Sequence, residues 1–212
     1  MIRIDCLKAL AEMVADDTLV VVTLGVTTDE WYDLKPRDAT MYLPVMGAIT
    51  PVGLGLALAL PHRRVLVLDS DGSLLLSLGI LTTVAARAPK NFGLIVFDNR
   101  CYESIGGAPT ATATGADLAL IARGCGVRDA TTASELGAFR AAARRALAEP
   151  GPVFVAARID PAIARVRPKT SDILEDKYRF VRYIERTEGV EILTPPTRGR
   201  KDPFAWTTEE SK

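Results

Sequence analysis

The sequence is poor in cysteine and histidine. It contains three cysteines and one histidine among its 212 residues. An odd number of widely spaced cysteines argues against a disulfide framework, and with a single histidine beside them a zinc site is also disfavoured. This cysteine usage fits a reducing compartment, and we expect the protein in the cytoplasm.

An excess of charge of one sign and long apolar runs are also missing. Lys and Arg number 26, and so do Asp and Glu, so no net field favours nucleic acid or an acidic membrane surface. The most apolar helical segment, residues 53–60, is short and is bounded by Pro51 and Pro61, which argues against a membrane span. We therefore expect a soluble protein with no nucleic-acid or membrane partner.

Apolar segments and turn residues alternate as helix and strand along most of the chain. The expected strands cover residues 18–23, 40–43, 64–69, 92–97, 127–130 and 152–158, and the expected helices cover 3–15, 28–34, 50–60, 73–87, 116–124 and 133–148. A glycine-rich loop is expected over residues 98–115. The strands VLVL and GLIVF are continuous apolar runs, which is typical of strands covered by helices on both faces. The pattern predicts an α/β fold, doubly wound around a mainly parallel sheet with helices on both faces.

The composition changes after Pro161. Residues 1–160 are expected to form one globular domain, followed over residues 161–212 by a C-terminal helix near 171–187 and an extended or mobile tail rich in proline and charge. Phe204 and Trp206 are apolar residues in this polar tail. The tail is therefore interpreted either as an arm that wraps a neighbouring subunit or as a disordered segment.

Polar residues directly follow two of the expected strands. Asp71, Gly72 and Ser73 follow one strand, and Asn99 follows the next strand along the chain. Ligands of doubly wound sheets bind at the carboxyl ends of strands. If the two strands are neighbours, the Asp71 carboxylate and the Asn99 amide oxygen can converge on magnesium, and the amides of Gly72 and Ser73 can face an anion. These clusters indicate a metal and diphosphate site, whereas the simpler alternative is an Asp-Gly turn with a serine helix cap.

Three stretches resemble a known family: MGAITPVGLGLALALP, LDSDGSLLLSLGILTTVA and DNRCYESIGGAPT. Asp71-Gly72-Ser73 followed by Asp98-Asn99 is similar to the thiamine diphosphate motif, Gly-Asp-Gly with Asn-Asn further along the chain. Over roughly residues 1–159, the chain resembles the diphosphate-binding domain of the thiamine diphosphate-dependent enzymes. Within that family it most resembles the decarboxylases of sulfopyruvate and phosphonopyruvate.

The resemblance implies a role for each matching residue of the polar clusters. Asp71 and Asn99 would coordinate magnesium through side-chain oxygens, and Cys101 would add its backbone carbonyl. Gly72 and Ser73 would bind the diphosphate through their backbone N–H groups. Magnesium and thiamine diphosphate are thus the implied cofactors.

Three further residues are implied to border the cofactor. Met46 matches the position whose side chain holds the cofactor in its bent conformation, although an ordinary core methionine is the alternative. The backbone around Pro44 would accept a hydrogen bond from the pyrimidine amino group. Tyr102 follows the metal loop, and with Glu103 it could face the substrate.

The chain departs from the family pattern at several positions. Ser70 and Pro44 stand where glycine is common, and Asp98 replaces the first Asn, as it does in the two decarboxylases. Ile105 and Ala108 occupy positions where those enzymes tend to have Thr and Gln.

The implied function is that of a thiamine diphosphate and magnesium-dependent decarboxylase subunit acting on a small 2-oxo acid with an anionic tail. In the family, the glutamate that activates the pyrimidine ring comes from a separate pyrimidine-binding domain, so no catalytic residue is expected in this chain. The resemblance therefore implies a pyrimidine-binding partner subunit in a heteromer. A carboligase of the acetolactate synthase type and a non-catalytic cofactor-binding subunit are the alternatives.

A few other residues have simpler interpretations. Gly53 and Gly55 lack the third glycine of a dinucleotide fingerprint, so they predict close helix packing. His62 is predicted to be a solvated turn residue. Thr27, Thr28 and Glu30 are predicted to cap a short helix or to contact the partner domain.

Overall fold

The computed structural model describes residues 1–170 and 172–193. The strands are β1 (Leu19–Thr23), β2 (Thr40–Leu43), β3 (Val65–Ser70), β4 (Phe92–Asp98), β5 (Cys101–Tyr102), β6 (Ala108–Pro109), β7 (Asp129–Ala133) and β8 (Val153–Arg158). The helices are α1 (Arg3–Met13), α2 (Val26–Leu34), α3 (Ile49–Ala59), α4 (Asp71–Leu75), α5 (Ile80–Arg87), α6 (Leu118–Gly124), α7 (Leu136–Ala148) and α8 (Ile173–Glu188). The expected tail, including Phe204 and Trp206, lies outside the described residues.

The main sheet is parallel throughout its six strands. Its strand order is β2-β1-β3-β4-β8-β7, and β5 and β6 form a separate antiparallel hairpin. The chain runs outward from β1 to β2 and then returns to β3 on the other side of β1, so the strand order reverses between β1 and β3. The predicted doubly wound parallel sheet is confirmed.

Side chains of the buried strands alternate between two hydrophobic cores. In β3, Val65 and Val67 belong to the core beneath α3, α5, α6 and α8, whereas Leu66 and Leu68 belong to the core beneath α1, α2 and α7. A strand whose two faces are both covered needs apolar residues at every position, which explains the continuous apolar run. Burial of each such side chain stabilises the fold by roughly 1.5–3 kcal/mol.

The helix predicted over residues 73–87 is wrong as a single helix. The chain forms α4 and α5 with a turn at residues 76–79 between them. In this turn the Ser77 amide donates to the Leu74 carbonyl at 2.9 Å, a bond that spans three residues instead of four. Gly79 at the end of the turn favours the interruption, because glycine is a poor helix former.

The predicted boundaries around β7 are displaced. The strand expected over residues 127–130 instead begins at Asp129 and continues to Ala133. Because Ala133 is still paired with β8, α7 begins later than predicted. Gly126 has φ +101° and the Val127 amide bonds to the carbonyl of Ala122, so these residues close α6 instead of entering the sheet.

The C-terminal helix α8 packs on the body of the domain. Phe180 and Ile184 of α8 lie in one of the two cores. At the edge of this core, the largely buried Arg63 donates to the Tyr183 hydroxyl at 2.9 Å and pairs with Glu188. His62 lies in an exposed turn, where its Nε2 is 2.7 Å from the same glutamate, and it does not approach the carboxyl edge of the sheet.

Helix α3 is the apolar segment noted in the sequence, and it covers β1 and β3. Across residues 1–170 and 172–193, no helix combines the length and apolar character needed to cross a membrane. Gly53 lies so close to β3 that an added Cβ would overlap with Val67, whereas a Cβ at Gly55 would meet nothing. The close-packing prediction is confirmed for Gly53 and is wrong for Gly55.

We expect Gly53→Ala to lower the free energy of unfolding by at least about 1 kcal/mol, because the new methyl group forces α3 away from β3. Gly55→Ala on the same helix is the matched control, and it should be neutral or stabilising by up to about 1 kcal/mol. Urea denaturation of both variants measures the difference. Equal stabilities of the two variants would contradict the packing of α3.

Candidate functional site

A cleft opens at the carboxyl edge of the sheet beside the point where the strand order reverses. Five of the residues predicted to hold the metal or the cofactor line this cleft: Met46, Gly72, Asn99, Cys101 and Tyr102. The pairing of β3 with β4, in which Ser70 lies opposite Phe97, brings the two polar clusters to one level.

Pro44 borders a neighbouring cleft instead. It follows β2 and shares this second cleft with Tyr42 and Lys169. Leu24 and Gly25, which follow β1, line both clefts. The residues predicted to hold the two ends of the cofactor therefore lie on adjoining surfaces.

The junction of β3 and α4 carries Asp71 at the first position of the helix. Ser70 is the helix cap, and its Oγ accepts a hydrogen bond from the Ser73 amide at 3.4 Å. The simpler reading of a serine cap is therefore confirmed for Ser70. The cap does not account for Asp71, whose side chain is buried beside the cleft.

The Asp71 carboxylate is held by two threonines. Its Oδ2 accepts from Thr110 Oγ1 at 2.7 Å and lies 3.2 Å from Thr112 Oγ1. The Thr112 hydroxyl also lies 2.7 Å from Asp98 Oδ1, so it stands between two buried carboxylates. Sequence reasoning missed both threonines, because they lie within the expected glycine-rich loop and Asp71 is distant from them in the sequence.

The environment of Asp71 favours its neutral form. The pKa of the Asp71 carboxyl is raised from 3.8 to about 6, chiefly because the group is buried and also because the Asp98 carboxylate lies nearby. Hydrogen bonds from Thr110, Thr112 and the Gly72 amide lower the pKa and so oppose this shift. At neutral pH the buried site therefore carries an ionised carboxylate that would gain from a neighbouring cation.

Asn99 lies in a tight turn that leads from β4 into the hairpin. Its Oδ1 accepts from the Cys101 amide at 3.1 Å, and Arg100 between them has φ +61°. Within the described residues no three His, Cys, Asp or Glu side chains cluster as metal ligands. The predicted magnesium set is of another kind, because it combines the Asp71 carboxylate with an amide and a backbone carbonyl.

A second network fixes the loop that carries Met46. The Gly47 amide donates to Ser73 Oγ at 3.0 Å. Burial raises the pKa of Asp69, while hydrogen bonds from Ser73 and Thr50 oppose the shift. The Ser73 side chain therefore ties the Met46 loop to the start of α4, a structural role that the sequence analysis did not assign.

Gly72 provides room for an aromatic ring. A Cβ placed at Gly72 would lie 2.5 Å from Cε1 of Tyr102. The absence of a side chain at Gly72 therefore lets the hairpin pack against the start of α4. It also leaves the Gly72 backbone at the wall of the cleft.

Residues near α1 and α2 also border the cleft. Arg3 and Thr27 line it, and no side chain caps the first amides of α2. Glu30, predicted as a cap or partner contact, is instead fully buried, and its Oε2 accepts from Arg3 Nε at 2.8 Å. The prediction for Glu30 is therefore wrong. Its side chain has no exposed surface, and a buried charge needs an ion-pair partner within the fold.

Comparison with known proteins identifies the family of the chain. The family described as "Thiamine pyrophosphate enzyme, C-terminal TPP binding domain" matches residues 27–157, where thiamine pyrophosphate is another name for thiamine diphosphate. The chain therefore belongs to the thiamine diphosphate-dependent enzymes. The assignment made from the three sequence stretches is confirmed.

Among relatives, sulfopyruvate decarboxylase subunit beta of Methanocaldococcus jannaschii is 35% identical over 87% of this chain and 98% of its own length. Phosphonopyruvate decarboxylase of Streptomyces viridochromogenes is 40% identical over 75% of this chain, which corresponds to 40% of that longer protein. The thiamine diphosphate-dependent 4-hydroxybenzoylformate decarboxylase of Rhodococcus jostii has the same fold, with a TM-score of 0.63 and 24% identity over 76% of this chain and 33% of that one.

We expect Asp71→Asn to stabilise the metal-free protein at pH 7.5 by about 1–3 kcal/mol, since it removes a buried charge. The wild-type carboxyl is neutral in the folded protein below its pKa of about 6, whereas it ionises near 3.8 when unfolded. Wild-type stability should therefore fall as the pH rises from about 4 to about 6, and the advantage of the variant should grow over that window.

Thermal and urea unfolding in a metal chelator measure this difference. Asp16→Asn is the matched control, because the Asp16 side chain is fully exposed. If the Asp71→Asn variant is no more stable than the wild type at pH 7.5, then burial does not raise the pKa of the Asp71 carboxyl as argued.

Proposed function

We propose that the chain is the cofactor-binding subunit of a magnesium-dependent decarboxylase acting on a small 2-oxo acid with an anionic tail. The observation that carries this proposal is the meeting of two polar clusters at one cleft. Parallel pairing of β3 and β4 places Gly72 and Asn99 on its wall, with Asp71 buried beside them.

Magnesium and the diphosphate fit the residues at this edge. Asp71, Asn99 and the Cys101 carbonyl would hold the cation, which asks for few protein ligands, all of them oxygen. The Gly72 and Ser73 amides would hold the diphosphate. The Ser73 amide makes a long bond of 3.4 Å to Ser70, which a phosphate oxygen can replace as a stronger acceptor.

The remainder of the cofactor would lie over Met46 and Pro44. The bond from the Gly47 amide to Ser73 holds the Met46 loop against the diphosphate end of the site. When bound, thiamine diphosphate supplies the electron sink for loss of carbon dioxide from a 2-oxo acid. The chain itself contributes orientation of the cofactor and a water-poor wall beside Met46 and Tyr102.

The substrate class follows from the relatives. The two relatives at 35% and 40% identity are named as decarboxylases of sulfopyruvate and phosphonopyruvate, which are small 2-oxo acids ending in a sulfonate or a phosphonate. We assign a substrate of that class to this chain. Ile105 and Ala108, which differ from those enzymes, lie on the exposed outer part of the β5–β6 hairpin.

The proposal of a partner subunit is supported by exposed apolar side chains around the cleft, here called the apolar rim. Val45 and Leu76 are 56% and 64% exposed, and Ile105 at the hairpin tip is 70% exposed. Leu76 lies beside the loop that follows Val45, because a Cβ at Gly47 would lie 3.4 Å from that of Leu76. We propose that a pyrimidine-binding subunit covers this rim and brings the activating glutamate.

The proposed reaction is tested by incubating the full chain and its partner subunit with sulfopyruvate, phosphonopyruvate or pyruvate. We expect carbon dioxide and an aldehyde from one of the two anionic substrates, and little turnover of pyruvate. A hydroxyketone product would instead indicate a carboligase. No turnover of any 2-oxo acid by a complex that binds the cofactor would contradict the decarboxylase.

We expect Leu76→Glu to weaken assembly with the partner by about tenfold or more, because it places a charge in an apolar contact. Leu58→Glu is the matched control: Leu58 is 46% exposed near the far end of α3, away from the rim. Analytical ultracentrifugation of each mixture measures assembly. Equal assembly of the two variants would exclude this rim from the interface.

A further inference from the structure

One charged group on the cleft wall has no role in the cofactor site described above. Arg3 is 4% exposed, and its Nη2 is buried with no hydrogen-bond partner within residues 1–170 and 172–193. A buried donor without a partner is costly, and such groups are rare in folded proteins. The other two nitrogens of the guanidinium are both engaged by carboxylates.

The two carboxylates differ in how firmly they are held. Glu30 is fully buried, and its Oε2 accepts from Arg3 Nε at 2.8 Å, while its Oε1 accepts from the Ala164 amide at 3.3 Å. Glu103 is 21% exposed and makes one contact with the guanidinium, from Nη1 at 3.2 Å. Glu30 therefore fixes the side chain of Arg3 in place. Glu103 bonds to Nη1 but not to Nη2, the other terminal nitrogen of the guanidinium.

Glu103 is carried by a segment that can move at little cost. It lies between β5 and β6, and residues 104–109 of this hairpin are exposed. Gly106 and Gly107 at the tip have φ +83° and +76°, and a Cβ at either would meet nothing. Displacing the Glu103 carboxylate therefore disturbs few packed side chains.

We propose that Arg3 binds the anionic tail of the substrate, and that the Glu103 carboxylate occupies this position until the substrate displaces it. A sulfonate or a phosphonate has enough oxygens to accept from Nη1 and Nη2 together, which Glu103 does not do. The inference rests on the proposed function, because it assigns the residue that selects the substrate of that same site.

Arg3 suits the tail better than the reacting carboxylate. That carboxylate loses its charge as carbon dioxide leaves, so a guanidinium bound to it would stabilise the ground state more than the transition state. An anion at the other end of the substrate keeps its charge throughout the reaction. Binding there positions the substrate without opposing the chemical step.

The test uses the full chain loaded with magnesium and thiamine diphosphate, titrated calorimetrically with 3-sulfopropanoate or with propanoate, which lacks the tail. We expect Arg3→Lys to weaken 3-sulfopropanoate binding by about tenfold or more, because lysine keeps the charge opposite Glu30 but loses the fork. Glu103→Gln should tighten that binding by at least about threefold, because it removes an internal competitor. Propanoate binding should change little in either variant.

A matched pair of controls lies on the outer surface of the fold. Arg140 Nη1 and Glu12 Oε2 are 3.1 Å apart on α7 and α1, both side chains being partly exposed. Arg140→Lys and Glu12→Gln should leave 3-sulfopropanoate binding as it is in the wild type.

The outcomes separate this inference from the proposed function. Unchanged 3-sulfopropanoate binding in Arg3→Lys, or no measurable binding by the wild type, would overturn the role of Arg3. Loss of thiamine diphosphate affinity in Arg3→Lys would also overturn it, since Arg3 would then belong to the cofactor site. Failure of the wild type to bind thiamine diphosphate would instead contradict the proposed function.

Discussion

The parallel, in-register pairing of β3 with β4 is the constraint on which the site depends. It places Ser70 opposite Phe97, so that Asp71 and Asn99 leave the sheet at the same edge and at nearly the same level. Both strands are covered by helices on their two faces, and their apolar side chains feed two separate cores. Displacement of one strand would separate the polar clusters, so the burial that stabilises the sheet also sets the geometry of the site.

The same burial makes the site costly when it holds no cation. Asp71 and Asp98 are almost fully buried, and the Thr112 hydroxyl lies between their carboxylates. The raised pKa of Asp71 expresses the tendency of such a carboxyl to stay neutral. The proposed divalent cation would reverse this tendency, and its binding would then be coupled to folding stability at this position.

Much of the fold was readable from the sequence because the strong signals are local. Continuous apolar runs indicated buried parallel strands. Asp71 and Asn99 were predicted as metal ligands because they follow strands, whereas Met46 was predicted only from the family resemblance. The break between α4 and α5 was missed because a helical apolar pattern continues across Gly79. The start of β7 was missed because Val127 is apolar but closes a helix.

The contacts that hold the site together were not readable in the same way, because they join distant parts of the chain. Nothing local to Thr110 and Thr112 shows that they bond to Asp71, roughly forty residues earlier in the sequence. Arg3 contacts Glu30 and Glu103 in the assembled fold, although they lie 27 and 100 residues further along the chain. Such partners depend on the order of the strands, which hydrophobic periodicity alone does not specify.

The measurement that tests the account most directly is calorimetric titration of the full chain with thiamine diphosphate, in magnesium and in a chelator. The account predicts binding that requires magnesium and is lost in Asp71→Asn, while the exposed Asp16→Asn control binds as the wild type does. Binding that is independent of magnesium, or that survives in Asp71→Asn, would contradict the central role given to the junction of β3 and α4.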